Sequence, residues 1–350
     1  MAAAALKRES AGKMTCLATR PEDILRFLVA RADEGLATVL VTLTGIEGSS
    51  PRAIGTQLAV ADDGRYLGSF SGGCIEAAVV AEALSLLAAD RAKLVRFGAG
   101  SPYIDVRLPC GGGIDLLFTP RPDRAAIGAA LARMDGRRDG GLILSPGGAR
   151  AAGAGVQTGW QGDSFALRYS PRLRIVAIGQ GEDLTATARL AQFYGAETLA
   201  FSPQPRDVAA LERHGIAARH LSIRHRPPTL RPDTATAFVF LFHDRDWEET
   251  LLPWALAQPA FYIGAVGSPR AQAARREMLA ANGVDRTALA ALRSHVGLIP
   301  STRDPATLAL SIVAEIVEMF AGNAHLGSIP RIAREEARVD AAPAAPSTGS

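Results

Sequence analysis

Cysteine is scarce in this chain, with 3 among 350 residues, and lysine is nearly absent: Lys7, Lys13 and Lys93 are the only lysines among 38 basic residues. Cys16, Cys74 and Cys110 are widely separated and form no CxxC pair, so spacing indicates neither a disulfide framework nor a zinc site. Aromatic residues make up 6% of the chain and never interleave with a run of basic ones, which argues against a nucleic-acid surface. No stretch reaches the unbroken apolar length of a membrane span. Met1–Ala5 is apolar, but Lys7, Arg8 and Glu9 follow at once. That is not the pattern of a secretory signal, and the expected address is cytoplasmic.

What is present is enough length for two ordinary cores and an apolar fraction of 48%. The densest stretch runs from Gly45 to Glu76. It holds two turns rich in glycine and serine, Gly48-Ser49-Ser50-Pro51-Arg52 and Gly68-Ser69-Phe70-Ser71-Gly72-Gly73-Cys74. Ala37–Thr44 is a β-branched run of strand length, and Gln57–Ala61 is a shorter one. The Ala/Leu/Val-rich segment after Cys74 predicts a helix over 76–89. Ser71, Gly72, Gly73 and Cys74 are thus expected at a helix N-terminus, with free N–H groups able to hold an anion and Cys74 in the first turn. Glu76 reads either as an ordinary first-turn acid or as a ligand contact. Arg52 is the best phosphate candidate of this half. A later turn, Cys110-Gly111-Gly112-Gly113, leads into a strand over 114–118.

The second half opens with the strand Arg174–Ile178, then Gly179-Gln180-Gly181, a helix over 183–194 capped by Gly195, and a strand over 198–201. This βαβ start predicts a doubly wound parallel sheet. Its dinucleotide fingerprint is damaged. Leu184 takes the third glycine position, Glu182 and Asp183 bring negative charge, and Phe201-Ser202-Pro203-Gln204 lacks the ribose-binding acid. His243-Asp244 ends one strand. Gly264, Gly267, Ser268 and Arg270 lie where another strand, 261–263, meets a basic helix over 271–281, a geometry suited to a phosphate.

The expected organisation is therefore α/β in two parts. Residues 1–20 form a flexible leader and 21–150 an N-terminal α/β module. The Gly- and Ala-rich region supplies a connection at 151–170. A Rossmann-like doubly wound domain spans 171–325, and an Ala/Pro-rich disordered tail runs over 326–350.

GSSPR, GSFSGGCIE and CGGGIDLL, in that order, resemble the motifs of the xanthine dehydrogenase accessory family (XdhC/CoxI), whose members are molybdenum-cofactor chaperones. The resemblance implies binding of molybdopterin or its dinucleotide form. It also implies support of cofactor sulfuration with a cysteine desulfurase, and delivery to a molybdenum hydroxylase of the xanthine-oxidase type, with a homodimer as the expected assembly. Carried over residue by residue, it assigns cofactor contacts to Ser49, Ser50, Arg52, Ser71, Gly72, Gly73, Cys74, Glu76, Cys110, Gly111 and Gly112. In the second half it assigns His243, Asp244, Gly264, Gly267, Ser268 and Arg270. Cys74 and Cys110 are the molybdenum contacts it implies, since a dithiolene-bound metal accepts a soft thiolate. Ile299-Pro300 departs from the family's usual Asp-Ile at the corresponding segment. One cofactor held between the two parts would draw Arg52 and Arg270 into the same cleft. The competing reading is an NAD(P)-dependent oxidoreductase with His243 as acid/base, against which the damaged fingerprint counts. A third is a scaffold that only docks the desulfurase.

Overall fold

The computed structural model describes residues 20–101, 111–221, 230–242, 246–293, 295–300 and 302–322. The leader, the tail, Cys16, Cys110, His243 and Asp244 fall outside the described residues.

The first half is built on a five-stranded antiparallel sheet in the order β3-β2-β1-β5-β4. Its strands are β1 (Thr38–Glu47), β2 (Gln57–Ala61), β3 (Tyr66–Leu67), β4 (Lys93–Gly98) and β5 (Gly113–Pro120). β1 is buried on both faces, which is why its sequence is a continuous apolar and threonine run. Val39, Val41 and Leu43 face α2 (Glu76–Ala88) through Val79, Ala83 and Leu86. Leu40 faces the other way, with Ala59 and Leu117, onto α1 (Pro21–Asp33) and α3 (Arg124–Asp135).

Residues read as a connection are instead part of a second sheet. β6 (Gly140–Ser145), β7 (Gly148–Ala152), β8 (Gly159–Gln161) and β9 (Ser164–Tyr169) pair antiparallel in the order β7-β6-β9-β8. Glycine and alanine made this region look weak. Gly148, Gly155, Gly159 and Gly162 take φ of 113°, 86°, 150° and 60°, and in the neighbouring β6 a Cβ on Gly141 would come within 2.0 Å of the Leu167 carbonyl oxygen. The sheet is fixed to the first by the buried Tyr169 hydroxyl, which donates to Gln57 Oε1 at 2.8 Å. The architecture changes only after Tyr169.

From Arg174 the sheet is parallel and six-stranded, in the order β12-β11-β10-β13-β14-β15. The strands are β10 (Arg174–Gly179), β11 (Glu197–Ser202), β12 (Ala217–His220), β13 (Thr236–Leu241), β14 (Tyr262–Ala265) and β15 (Leu292–Arg293). Numbered from β10, this is the 3-2-1-4-5-6 order of doubly wound dinucleotide folds, with the switch between β10 and β13. One face is covered by α4 (Gly181–Tyr194), α5 (Pro205–Arg213) and α9 (Pro305–Gly322). The other carries α6 (Asp246–Leu256), α7 (Pro269–Ala281) and α8 (Arg286–Ala291). By length and composition α9 matches a membrane span. It buries Ile312, Val313, Ile316 and Phe320 against this sheet and carries a buried Glu315, so it is a core helix here.

The two halves are joined at the amino ends of the parallel strands. Arg137, in the loop between α3 and β6, donates to Glu197 Oε2 at 2.6 Å and to both carboxylate oxygens of Asp233 at 2.7 and 3.0 Å. Arg174 holds the other oxygen of Glu197. Burial pushes the Asp233 carboxyl up, but the Arg137 guanidinium outweighs it and holds the group below the usual carboxylate range.

Candidate functional site

The three glycine-rich turns of the first half meet at one end of the antiparallel sheet. β1 ends at Glu47, β5 begins opposite it at Gly113, and β4 ends at Gly98 against that same residue. β2 and β3 pair so that the start of one and the end of the other lie at this edge too. The edge is braced from behind by Arg96, which grips Asp115 with two 2.8 Å hydrogen bonds and also pairs with Glu47.

Contacts between the turns are close. A Cβ on Gly112 would lie 2.4 Å from the Ser49 carbonyl oxygen and 2.8 Å from that of Glu47. Only glycine lets the third turn press against the backbone of the first. Ser50 spends its hydroxyl inside the first turn, donating to the Arg52 carbonyl at 3.0 Å and accepting the Arg52 N–H at 3.2 Å. Arg52 then reaches across, its Nε donating to the Ser69 carbonyl at 3.1 Å. Its half-buried guanidinium keeps both Nη groups unbonded among the described residues, directed by this anchor beside the second turn.

The second turn is not an open anion nest. Glu76 fills it. Its Oε1 accepts the N–H groups of Phe70 and Ser71 and the Ser69 hydroxyl, at 2.8–2.9 Å. Its Oε2 accepts the Ser71 hydroxyl and the N–H groups of Gly73 and Ile75. Gly72 and Gly73 take φ of 78° and 121° to turn these amides inward, a left-handed path that an L side chain resists. The carboxylate is 2% exposed. Burial alone would raise its pKa, but the Ser71 amide and the serine hydroxyls hold it down to about 2. The expectation that these amides await an external phosphate is therefore overturned, as is a direct ligand role for Glu76. A carboxylate three residues beyond Gly73 reaches back and satisfies the amides first.

Cys74 is also displaced from its expected place. α2 begins at Glu76 with Ile75 as its N-cap, so Cys74 precedes the helix rather than sitting in its first turn. Its N–H is held by Ser71 Oγ at 2.9 Å, and the side chain is exposed as a free thiol. The Glu76 scaffold thus presents Cys74 to solvent, beside the turn that Arg52 grips. Ser49 and Gly111 are exposed at the same edge.

In the second half, Ser268 caps α7, its hydroxyl accepting the Ala271 N–H at 3.3 Å, with Pro269 opening the helix. Gly264 and Gly267 have packing reasons. A Cβ on Gly264 would meet the Tyr262 hydroxyl at 2.8 Å, and one on Gly267 would crowd Ala271 at 3.1 Å. Arg270 is exposed. The cation that faces the crevice at the strands' carboxyl ends is a different one, Arg275. It is buried and bonded to Glu248 at 2.7 Å through both Nε and Nη2, and to the Ala265 and Val266 carbonyls. These two side chains line a cavity of about 180 Å³ with Asp183, Phe242 and Gly267. Nothing in the sequence singled out the Arg275–Glu248 pair, because neither residue belongs to a motif.

Gly181, the second glycine of the damaged fingerprint, donates its N–H to Asp207 Oδ2 at 2.7 Å, and Ser202 donates to the same oxygen at 3.0 Å. An in-chain carboxylate again occupies an amide that a phosphate would use. The divergent segment after β15 is tied to α9 instead: Gly297 N–H donates to Glu315 at 2.6 Å and Ile299 N–H to Ser311 at 2.7 Å.

Arg52 and Arg270 are not drawn together by these contacts. The halves meet at the amino ends of β11 and β13, whereas Arg270 lies beyond the carboxyl end of β14. The six-residue strands β11 and β13 separate the two edges by roughly 20 Å. Nothing in the junction supports a cleft shared by these two arginines within one protomer.

Comparison with known proteins agrees with the division into two architectures. Residues 31–98 match the profile of the XdhC and CoxI family, and residues 175–316 that of the XdhC Rossmann domain. The chain is 35% identical over 298 residues to the molybdenum cofactor insertion chaperone PaoD of Escherichia coli (strain K12), covering 85% of this chain and 87% of that protein. Its fold resembles a crystal structure described as a xanthine dehydrogenase from Bacillus halodurans, with a TM-score of 0.67 at 21% identity, over 87% of this chain and 98% of the other. The chain belongs to the XdhC and CoxI family.

Proposed function

We propose that this protein binds the molybdenum cofactor as cargo, holds it while a cysteine desulfurase supplies sulfur, and passes it to a molybdenum hydroxylase of the xanthine-oxidase type. The observation that carries the reading is the convergence of the three family turns on one sheet edge, with the exposed Cys74 thiol and the half-buried Arg52 guanidinium at the second turn. A soft thiolate suits a dithiolene-bound metal, and a guanidinium with open Nη groups suits the pterin phosphate. The similarity to the molybdenum cofactor insertion chaperone of Escherichia coli supports the same assignment.

The scaffold refines which groups hold the cargo. With the second-turn amides committed to Glu76, phosphate recognition falls to Arg52, and Ser69, Ser71, Gly73 and Glu76 act as support. If Arg270 contributes as well, it does so from a second copy, making the working unit a homodimer; light scattering of the loaded protein reads this directly.

Cys74→Ser decides the thiol's role. Its side chain is exposed, so the variant should unfold at the parent's temperature yet lose molybdopterin during anaerobic purification. Retention and transfer equal to the parent would remove Cys74 from the site.

A further inference from the structure

A second groove, of about 1010 Å³, lies on the opposite edge of the parallel sheet from the carboxyl-end crevice. It is walled by Arg20 at the start of α1, by Arg172 between β9 and β10, by Arg189 and Phe193 of α4, by His214 after α5 and by Ala309 of α9. We propose that this groove binds a phosphorylated ligand of nucleotide size, at a site distinct from that of the cargo.

Three observations carry this. Arg172 Nε is buried and has no partner among the described residues. Its guanidinium makes no hydrogen bond or ion pair among the described residues, and it lines the groove, where an anionic oxygen would partner it. Burial, then the neighbouring Arg20, hold this guanidinium below the usual arginine range while leaving it charged.

The groove also has cations to spare. The acids near Arg172 are already engaged: Glu22 and Asp23 pair with Arg20, and Glu197 is shared by Arg137 and Arg174. Arg189 is exposed with no ion pair among the described residues.

Finally, Phe193 is 66% exposed on the groove wall, an open face on which a base can stack. The volume is at the upper end of small-molecule sites, roughly 300–1,000 Å³. A bare phosphate would leave most of it empty.

The test uses the full-length protein and two probes, a fluorescent nucleoside triphosphate and inorganic pyrophosphate, followed by anisotropy and calorimetry. Both should bind saturably. Arg189→Gln and Arg172→Gln should each weaken both probes about tenfold or more. Phe193→Ala should weaken the nucleotide and leave pyrophosphate unchanged, whereas equal losses for both would show that phosphate alone is recognised and overturn the nucleotide assignment. Arg270→Ala should leave both unaffected. Absence of saturable binding, or binding indifferent to Arg189→Gln, would overturn the proposal. So would binding lost in Arg270→Ala alone, which would place the ligand in the crevice. Should Arg172→Gln fail to fold, the exposed Arg189 still decides the matter.

Discussion

Arg52 donates from Nε to the Ser69 carbonyl at 3.1 Å, and that bond fastens the first glycine turn to the second. Arg52→Ala should weaken retention of the molybdenum cofactor by roughly 1.5–3 kcal/mol, the usual worth of a hydrogen bond to a charged group. Arg52→Lys should recover little, because an ammonium cannot hold the carbonyl and a phosphate in one planar fork. Hydrogen exchange over 69–75 should quicken in both variants. Normal loading and delivery by Arg52→Ala would refute its role.

Glu76 gives a pH signature. Its folded carboxyl sits at about 2 against an ordinary value of 4.5, so the fold binds its proton less readily than the unfolded chain. Its contribution is complete above pH 4.5 and fades as the pH falls toward 2. At most it is about 3 kcal/mol. Denaturant titrations of the parent and Glu76→Gln should therefore differ most near neutrality and converge in acid. A difference that is the same at pH 7 and pH 3 would contradict the scaffold role.

Nucleotide binding at the Gly179-Gln180-Gly181 turn should be poor. Asp207 holds the Gly181 amide and Leu184 is fully buried where the fingerprint needs glycine. NAD and NADP should bind at this turn no better than millimolar, about −4 kcal/mol. Asp207→Asn should not restore affinity, since Leu184 remains. A micromolar dissociation constant that shifts on mutating Gly181, while Arg189→Gln leaves it alone, would revive the oxidoreductase reading.

The junction between the halves rests on Arg137, which holds φ of 52°, an uncommon backbone for a residue with a side chain. Arg137→Ala strips Asp233 of both its guanidinium bonds and removes one of three from Glu197. We expect a loss of about 1–3 kcal/mol and earlier proteolytic cleavage between residues 169 and 174. Arg137→Gly should recover part of the loss by relaxing the backbone. A variant with parental stability and protease resistance would show that the junction is held elsewhere.

Most elements were legible because their signals are local. The β-branched run of β1, the Ala/Leu/Val content of α2, and the strand–glycine–helix opening at Arg174 each express a backbone preference within a few residues. The strands of 148–169 were missed because glycine and alanine carry little strand preference of their own, and the ladder to β6 that pairs them exists only in the fold. Asp207, Arg137 and Arg172 belong to no motif, and nothing local marks them.

By itself the sequence determined the order of most elements outside 148–169, the doubly wound second half and the three turns that place the chain in its family, since each depends on residue type at short spacing. Tertiary structure decided what those turns do. Amides that local reasoning leaves open to a phosphate are claimed by Glu76 and Asp207, because a carboxylate already held nearby meets them without the entropy loss of capturing a free anion. Tertiary structure also set the halves together at the amino ends of the parallel strands, where Arg137 finds Glu197 and Asp233 across 60 and 96 residues. Ion pairs of that reach exist only once both sheets are built, and no pattern along the chain can encode them locally.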